Sequence, residues 1–239
     1  LPPELRALIE GTAGCSPYIA GLIGKEGHWL SHALHDDPED RLTEIISEAA
    51  DLSPGDLNTG LRKLKRRAAL LVALADLGGV WGLHTVTQGW TDFADACLSA
   101  ALSTHVAQEC RRGKIPGMTE EDAHRDGAGM VALAMGKMGA GELNYSSDID
   151  IICLFDETRF DPDDQMEARA GFIRATRRMA AALNDVTGDG YVFRTDLRLR
   201  PDASVTPVCI SMEAAERYYE AEGRSWERSA YIKARPVAG

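Results

Sequence analysis

Asp148 and Asp150 are the side chains in this sequence best placed to do chemistry. They stand at the head of an apolar run (Ile149, Ile151, Ile152, Leu154, Phe155) that predicts a buried strand. Side chains alternate across a strand, so the two carboxylates share one face, with Cα atoms about 6.5 Å apart. Ile149 and Ile151 point the other way. Two carboxylates held ~4 Å apart at an effective dielectric near 20 repel by about 4 kcal/mol. A divalent cation removes that cost, and hard oxygen ligands select Mg²⁺ or Mn²⁺. An Asp-x-Asp pair also occurs on ordinary surface turns, so the pair needs company to carry meaning.

That company lies on both sides. Upstream, glycines at 136, 139 and 141 let backbone N–H groups approach a phosphate, and Lys137, Ser146 and Ser147 add polar side chains. The order of residues is not that of a Walker A loop. Downstream, Tyr191–Pro201 alternates as a strand should. Phe193, Thr195, Leu197 and Leu199 fall on one face, and Arg194, Asp196, Arg198 and Arg200 on the other. Asp196 is then a third carboxylate for a metal site, with Arg198 and Arg200 beside it to bind phosphate oxygens. The competing reading is a half-exposed strand with a solvated charged face.

Three further blocks extend the pattern: Glu142-Leu143-Asn144, Gly223-Arg224-x-Trp226-Glu227-Arg228 and Ile232-Lys233-Ala234-Arg235-Pro236. With Gly136-Lys137, Ser146-Ser147-Asp148-x-Asp150 and Asp196-Leu-Arg198-Leu-Arg200-Pro201, this ordered set over residues 129–239 resembles the bifunctional glutamine synthetase adenylyltransferase/adenylyl-removing enzymes of bacteria. Ser16-Pro17-Tyr18 and Trp29-Leu30 resemble that family's leading helical region more loosely. The wording around Asn144, Tyr191 and Ile232 is more similar to the N-terminal, adenylyl-removing half than to the adenylylating half. Ala140-Gly141 stands where the family commonly has Gly and a basic residue, so no phosphate-binding side chain is expected at 141.

The resemblance implies a nucleotidyltransferase fold of the DNA polymerase β type. It implies Asp148, Asp150 and Asp196 as catalytic metal ligands for Mg²⁺ or Mn²⁺. Gly136, Lys137, Ser147, Arg198, Arg200 and Lys233 are expected to bind substrate or phosphate. The implied reaction is phosphorolysis of AMP-tyrosine on glutamine synthetase to ADP and tyrosine. Two alternatives stand beside it: ATP-dependent adenylylation of the same tyrosine, and a non-catalytic module that docks glutamine synthetase or a PII signalling protein.

The elements that must position these residues divide the chain. Residues 1–115 read as a helical region. Leu57, Leu61, Leu64, Ala68, Leu71 and Ala75 recur at helical spacing, with Arg62, Lys63, Lys65, Arg66 and Arg67 on the face expected to meet solvent. Asp56 is placed to cap that helix, and another helix is expected over about 90–111. Residues 112–128, with Gly113, Pro116, Gly117 and a run of acids, read as a linker. Residues 116–239 read as the catalytic domain. Strands are expected at 130–136, 149–155, 191–200 and 205–210, and helices over about 164–186 and from Ser211 to Glu222. The fold class is therefore α+β, a helical region followed by a small mixed sheet with helices.

Net charge is −11 and the isoelectric point about 5.0, which argues against a nucleic-acid partner. No apolar run reaches the ~18 residues of a membrane span and no signal peptide is evident. Five cysteines without a C-x-x-C pair suit a reducing cytoplasm, and Cys153 reads as a core residue. His28, His32 and His35 read as a solvated helix face rather than a metal site. A first residue Leu1 and an end at Gly239 just after a motif are expected of a fragment truncated on its C-terminal side.

Overall fold

A computed structural model describes residues 1–239. Five helices lead the chain: α1 (Pro3–Cys15), α2 (Pro17–Ala33), α3 (Pro38–Ala50), α4 (Leu57–Leu77) and α5 (Leu83–Arg111). Proline opens α1, α2 and α3 in the first turn, where its missing N–H costs no hydrogen bond. The expected apolar stripe of α4 is buried throughout. Asp56 does sit at its cap position, but its carboxylate accepts from Ser53 Oγ (2.7 Å) rather than from the helix.

The expected linker is partly a helix. Thr119 and Asp122 form a reciprocal capping box at the start of α6 (Glu120–Asp126). The acids of this stretch are first-turn residues that complement the helix dipole, and Gly127 ends the helix at φ +61°.

The sheet follows. β1 (Met130–Ala134) pairs antiparallel with β2 (Ile149–Phe155). A long helix, α8 (Gln165–Asn184), crosses to two short strands that both run parallel to β2 on one edge. β3 (Thr195–Asp196) lies beside its start and β4 (Cys209–Ser211) beside its end. The outer edge is β5 (Arg235–Ala238), antiparallel to β1. Between β1 and β2 lies α7 (Gly136–Gly139), a single turn, and α9 (Met212–Ala221) and α10 (Ser225–Ala230) precede β5. The class is α+β, with a mixed sheet. Ser211 caps α9 through its hydroxyl, 3.2 Å from the Ala214 N–H, as expected.

Two strand expectations need correction. The strand expected over 191–200 is reduced to Thr195–Asp196. Before it, the N–H groups of Val192 and Phe193 both turn to the Leu183 carbonyl at the end of α8. After it, the Asp196 carboxylate accepts from the Arg198 N–H (2.8 Å), which bends the chain into a turn. The strand expected at 205–210 begins only at Cys209, because Val205 and Thr206 both donate to the Asp202 carbonyl. β5 was not expected; Pro236 masked it, and proline is tolerated there because β5 is an edge strand.

The sheet is covered on both sides. Ile149, Ile151, Cys153 and Phe155 join one continuous core with α2–α5 and α8, which runs from Ile19 to Ala238 and so crosses the expected boundary at 115/116. Ile152 and Leu154, on the opposite face, pack with Ile210 and Ala215. Asp150 shares that second face by alternation.

The α8 contact with the 112–116 turn is close. A Cβ at Gly171 would lie 2.3 Å from the Lys114 carbonyl oxygen. A Gly171→Ala change gains about 1 kcal/mol of helix propensity but loses about 3 kcal/mol to overpacking against backbone. The expected net is a loss of roughly 2 kcal/mol, seen as a drop of about 4–8 °C in melting temperature.

Candidate active site

The parallel pairing of β2 and β3 places Asp150 directly opposite Asp196, with Ile149 opposite Thr195. The Ile149 N–H donates to the Arg194 carbonyl (2.9 Å) and holds this register. Asp148 lies two residues earlier, at the mouth of β2. The three acids identified in the sequence therefore converge on one end of one strand pair.

The glycine turn closes the site from the other side. Met135 N–H donates to the Asp150 carbonyl (2.9 Å), so Gly136 follows immediately beside that residue. Gly136 has φ +54°, and a Cβ there would lie 3.0 Å from Asp150 Oδ2. The positive φ favours glycine, and the nearby carboxylate leaves little room for a side chain. The turn is braced by Arg235, which donates to the carbonyls of Met138 and Gly139 and pairs with Asp95 at 2.8 Å. The loop that follows is tied to the helical layer: Leu143 N–H donates to Thr91 Oγ1 (3.1 Å), and Tyr145 donates to Asp76 (2.7 Å).

Electrostatics separate the acids. Burial pushes the Asp150 carboxyl above its ordinary value, and the negative charges of Asp196 and Asp148 push it further. Hydrogen bonds from Arg198 hold Asp196 below the ordinary range. Arg194 Nε takes Asp148 at 2.5 Å, and Arg198 grips both oxygens of Asp196 at 2.5–3.0 Å. No three His, Cys, Asp or Glu side chains stand together as an ion's ligand set. The donor chemistry nonetheless suits a hard divalent cation. It comprises three carboxylates, one of them destabilised by its like-charged neighbours, around a glycine that leaves room at Asp150.

The other expected residues are distributed unevenly. Lys137 is exposed on α7, and its charge acts on Asp150. Ser147 Oγ donates to Asn144 (2.5 Å). Arg198 is 84 % exposed but held by its ion pair with Asp196. Lys233 pairs with Glu142 at 2.8 Å, across from the glycine turn. Arg200 donates to the carbonyls of Leu197, Ala203 and Thr206, so it staples the turn after Asp196. His28 and His32 are exposed on α2, and His35 is exposed in the turn that follows it.

Two contributors went unassigned in the sequence. Arg194 was legible only as a charge beside Asp196, yet it bridges Asp148 and the Ser146 carbonyl (2.8 Å). Arg62, expected on a solvated face, is 3 % exposed. It donates to the carbonyls of Asn58, Ala182, Asp185 and Gly190, locking the end of α8 and the turn that leads to β3 onto α4.

Comparison with known proteins assigns the chain to a family. Residues 7–239 match the family model described as glutamate-ammonia ligase adenylyltransferase. Curated relatives carry the name bifunctional glutamine synthetase adenylyltransferase/adenylyl-removing enzyme. One from Bradyrhizobium diazoefficiens is 48 % identical over 99 % of this chain and 24 % of its own length. One from Bradyrhizobium sp. is 46 % identical over 98 % of this chain and 24 % of its own. One from Brucella suis is 44 % identical over 94 % and 23 %. The chain spans about a quarter of the length of these relatives. No helix is long and apolar enough to cross a membrane.

Proposed function

This chain belongs to the glutamate-ammonia ligase adenylyltransferase family, and from that premise we propose that it removes AMP from an adenylylated tyrosine of glutamine synthetase by phosphorolysis. An oxygen of inorganic phosphate attacks the α-phosphorus, and the bond to the tyrosine oxygen breaks. ADP leaves, and the tyrosinate takes a proton. The observation that carries the reading is the register match of Asp150 with Asp196, beside a glycine turn that leaves space at the carboxylate. The wording at Asn144, Tyr191 and Ile232 favours the adenylyl-removing half.

Asp148, Asp150 and Asp196 are the residues that would hold Mg²⁺ or Mn²⁺, which when bound supplies charge neutralisation and Lewis acidity at the phosphoryl oxygens. The chain's own groups do the rest. Arg198, anchored by Asp196 and otherwise exposed, orients the incoming phosphate. Lys137 and Lys233 add positive charge on the glycine-turn side. Gly136 offers backbone and Ser147 a hydroxyl to the α-phosphate. Arg200 keeps the turn after Asp196 rigid, so that Asp196 and Arg198 face the same reactant. Inorganic phosphate is already ionised at neutral pH, so no strong general base is required.

The forward reaction, transfer of AMP from ATP, uses the same acids, and the family description names it. One assay separates the two. Adenylylated glutamine synthetase plus phosphate is expected to give ADP with this chain. Pyrophosphate release from ATP and unmodified glutamine synthetase, without ADP from the first mixture, would replace phosphorolysis by adenylylation. A thermal-shift titration tests the cation. At 100 times its dissociation constant Mn²⁺ is expected to add about 2.7 kcal/mol of stability. A chain that only docks glutamine synthetase or a PII protein would show no such acid-dependent shift.

A further inference from the structure

Helix α2 is kinked at Glu26 (φ −112°, ψ 15°), and the two turns that follow, to Ala33, are held firmly from one side. Leu30 and Ala33 are buried there. The Glu26 carboxylate, also buried, accepts from Arg66 (2.8 Å) and Arg67 (3.1 Å) of α4. The Arg67 guanidinium in turn lies 5.3 Å from the centre of the Trp29 ring. The other side of this segment is exposed and carries His28 and His32. Side chains four residues apart on a helix are neighbours on one face.

That spacing alone describes any exposed helix face, but the placement of the rings adds to it. Their centroids are 5.0 Å apart and their planes are tilted by 54°, so the rings are not stacked. An ion bound about 2.1 Å from one nitrogen of each imidazole sets the centroids about 4.6–5.3 Å apart, from right-angled to tetrahedral coordination. The observed separation falls inside that range with the helix as it stands. Neither ring is engaged elsewhere. Of the six histidines, His124 alone hydrogen-bonds a protein group through its ring, Ser103 Oγ at 2.7 Å. The surroundings favour a cation: Asp36, Asp37, Glu39 and Asp40 follow closely in the chain, against Lys25 and Arg41.

We propose that His28 and His32 bind a divalent late transition-metal ion, Zn²⁺ foremost, across one turn of α2. Imidazole nitrogen suits Zn²⁺, Ni²⁺ and Cu²⁺, whereas Mg²⁺ and Mn²⁺ prefer oxygen. The site thus differs in chemistry from the three carboxylates and shares no residue with them. His35 lies in the turn after α2, and no third His, Cys, Asp or Glu stands close enough to join the pair. Water therefore fills the remaining positions. The ion acts as a clasp on the last two turns of α2, which the kink at Glu26 sets apart from the rest of the helix.

Equilibrium dialysis against Zn²⁺, with millimolar Mg²⁺ present to occupy oxygen ligands, tests the site apart from any turnover. The native chain is expected to bind Zn²⁺, and His28→Ala and His32→Ala each to bind about tenfold more weakly or worse. Both side chains are exposed, so circular dichroism of the variants is expected to match the native chain. His35→Ala and Asp150→Asn are expected to keep the native affinity. In proton NMR, substoichiometric Cu²⁺ is expected to broaden the ring signals of His28 and His32 before those of the other histidines. The proposal is overturned if the native chain binds no Zn²⁺ under these conditions, or if either His28→Ala or His32→Ala keeps full affinity. A loss in His35→Ala or Asp150→Asn as large as theirs overturns it too.

Discussion

Asp150→Asn is expected to reduce turnover about a thousandfold while leaving the metal-free protein as stable as before or slightly more so. On the proposed reading, the rate loss follows from removing a ligand of the divalent cation, worth about 4 kcal/mol at the transition state. The stability sign follows from the carboxyl's surroundings. Burial raises its pKa first, and Asp196 and Asp148 raise it further. A carboxyl whose folded pKa lies above its unfolded value opposes folding at pH above the folded value, and that opposition fades as pH falls through the folded value and is gone below the unfolded one. Replacing it with an amide of the same shape removes the opposition at every pH. Steady-state assays and thermal unfolding in chelator read the two effects. The Mn²⁺ shift of native protein should be missing in the variant. A variant that keeps full activity, or melts well below the native chain, would refute the assignment of Asp150.

Arg62→Met is the second large effect, and it tests the scaffold instead of the chemistry. The guanidinium is buried and donates to four backbone carbonyls, three of them outside its own helix. Hydrogen bonds from charged donors contribute roughly 1.5–3 kcal/mol each. Some of the freed carbonyls lie near the surface and regain water. The expected net loss is about 4 kcal/mol, read by urea unfolding as a lower midpoint with an unchanged slope. Arg62→Lys should recover less than half, since one ammonium cannot span a fork of four acceptors. Turnover should fall in step, because the turn at Thr187–Gly190 that Arg62 grips leads directly to Arg194 and Asp196.

Much of the site was legible because its residues are chemically expensive. Asp148 and Asp150 beside an apolar strand are a cost that evolution rarely leaves uncompensated, and the strand itself shows an unbroken β-prone run. The register of Asp196 against Asp150 was not legible, since parallel pairing is set by tertiary packing across α8. The ten-residue strand expected at 191–200 shows why alternation misleads. Arg198 and Arg200 alternate correctly, yet their guanidiniums fold back onto Asp196 and onto loop carbonyls. Arg62 was misread for a related reason: the i, i+3, i+4 pattern ranks faces by apolarity, whereas a guanidinium buries well when carbonyls meet it. The acids of Glu120–Asp122 looked like linker composition, but three acids behind a threonine are also the signature of a capped first turn.

The pairing of β2 with β3 has a kinetic corollary. Every residue of α8 lies between Asp150 and Asp196, and β5 closes on β1 only after both are made. The first four helices, by contrast, pack mainly on one another and on α5. Contacts of long sequence separation form late, because loop closure must be paid for before they reward it. During synthesis, the leading helices are expected to gather while the three carboxylates are still apart. The acids meet only once the helix between them has docked. A newly made chain is expected to pass through a helix-rich stage in which Asp150 and Asp196 are still unpaired.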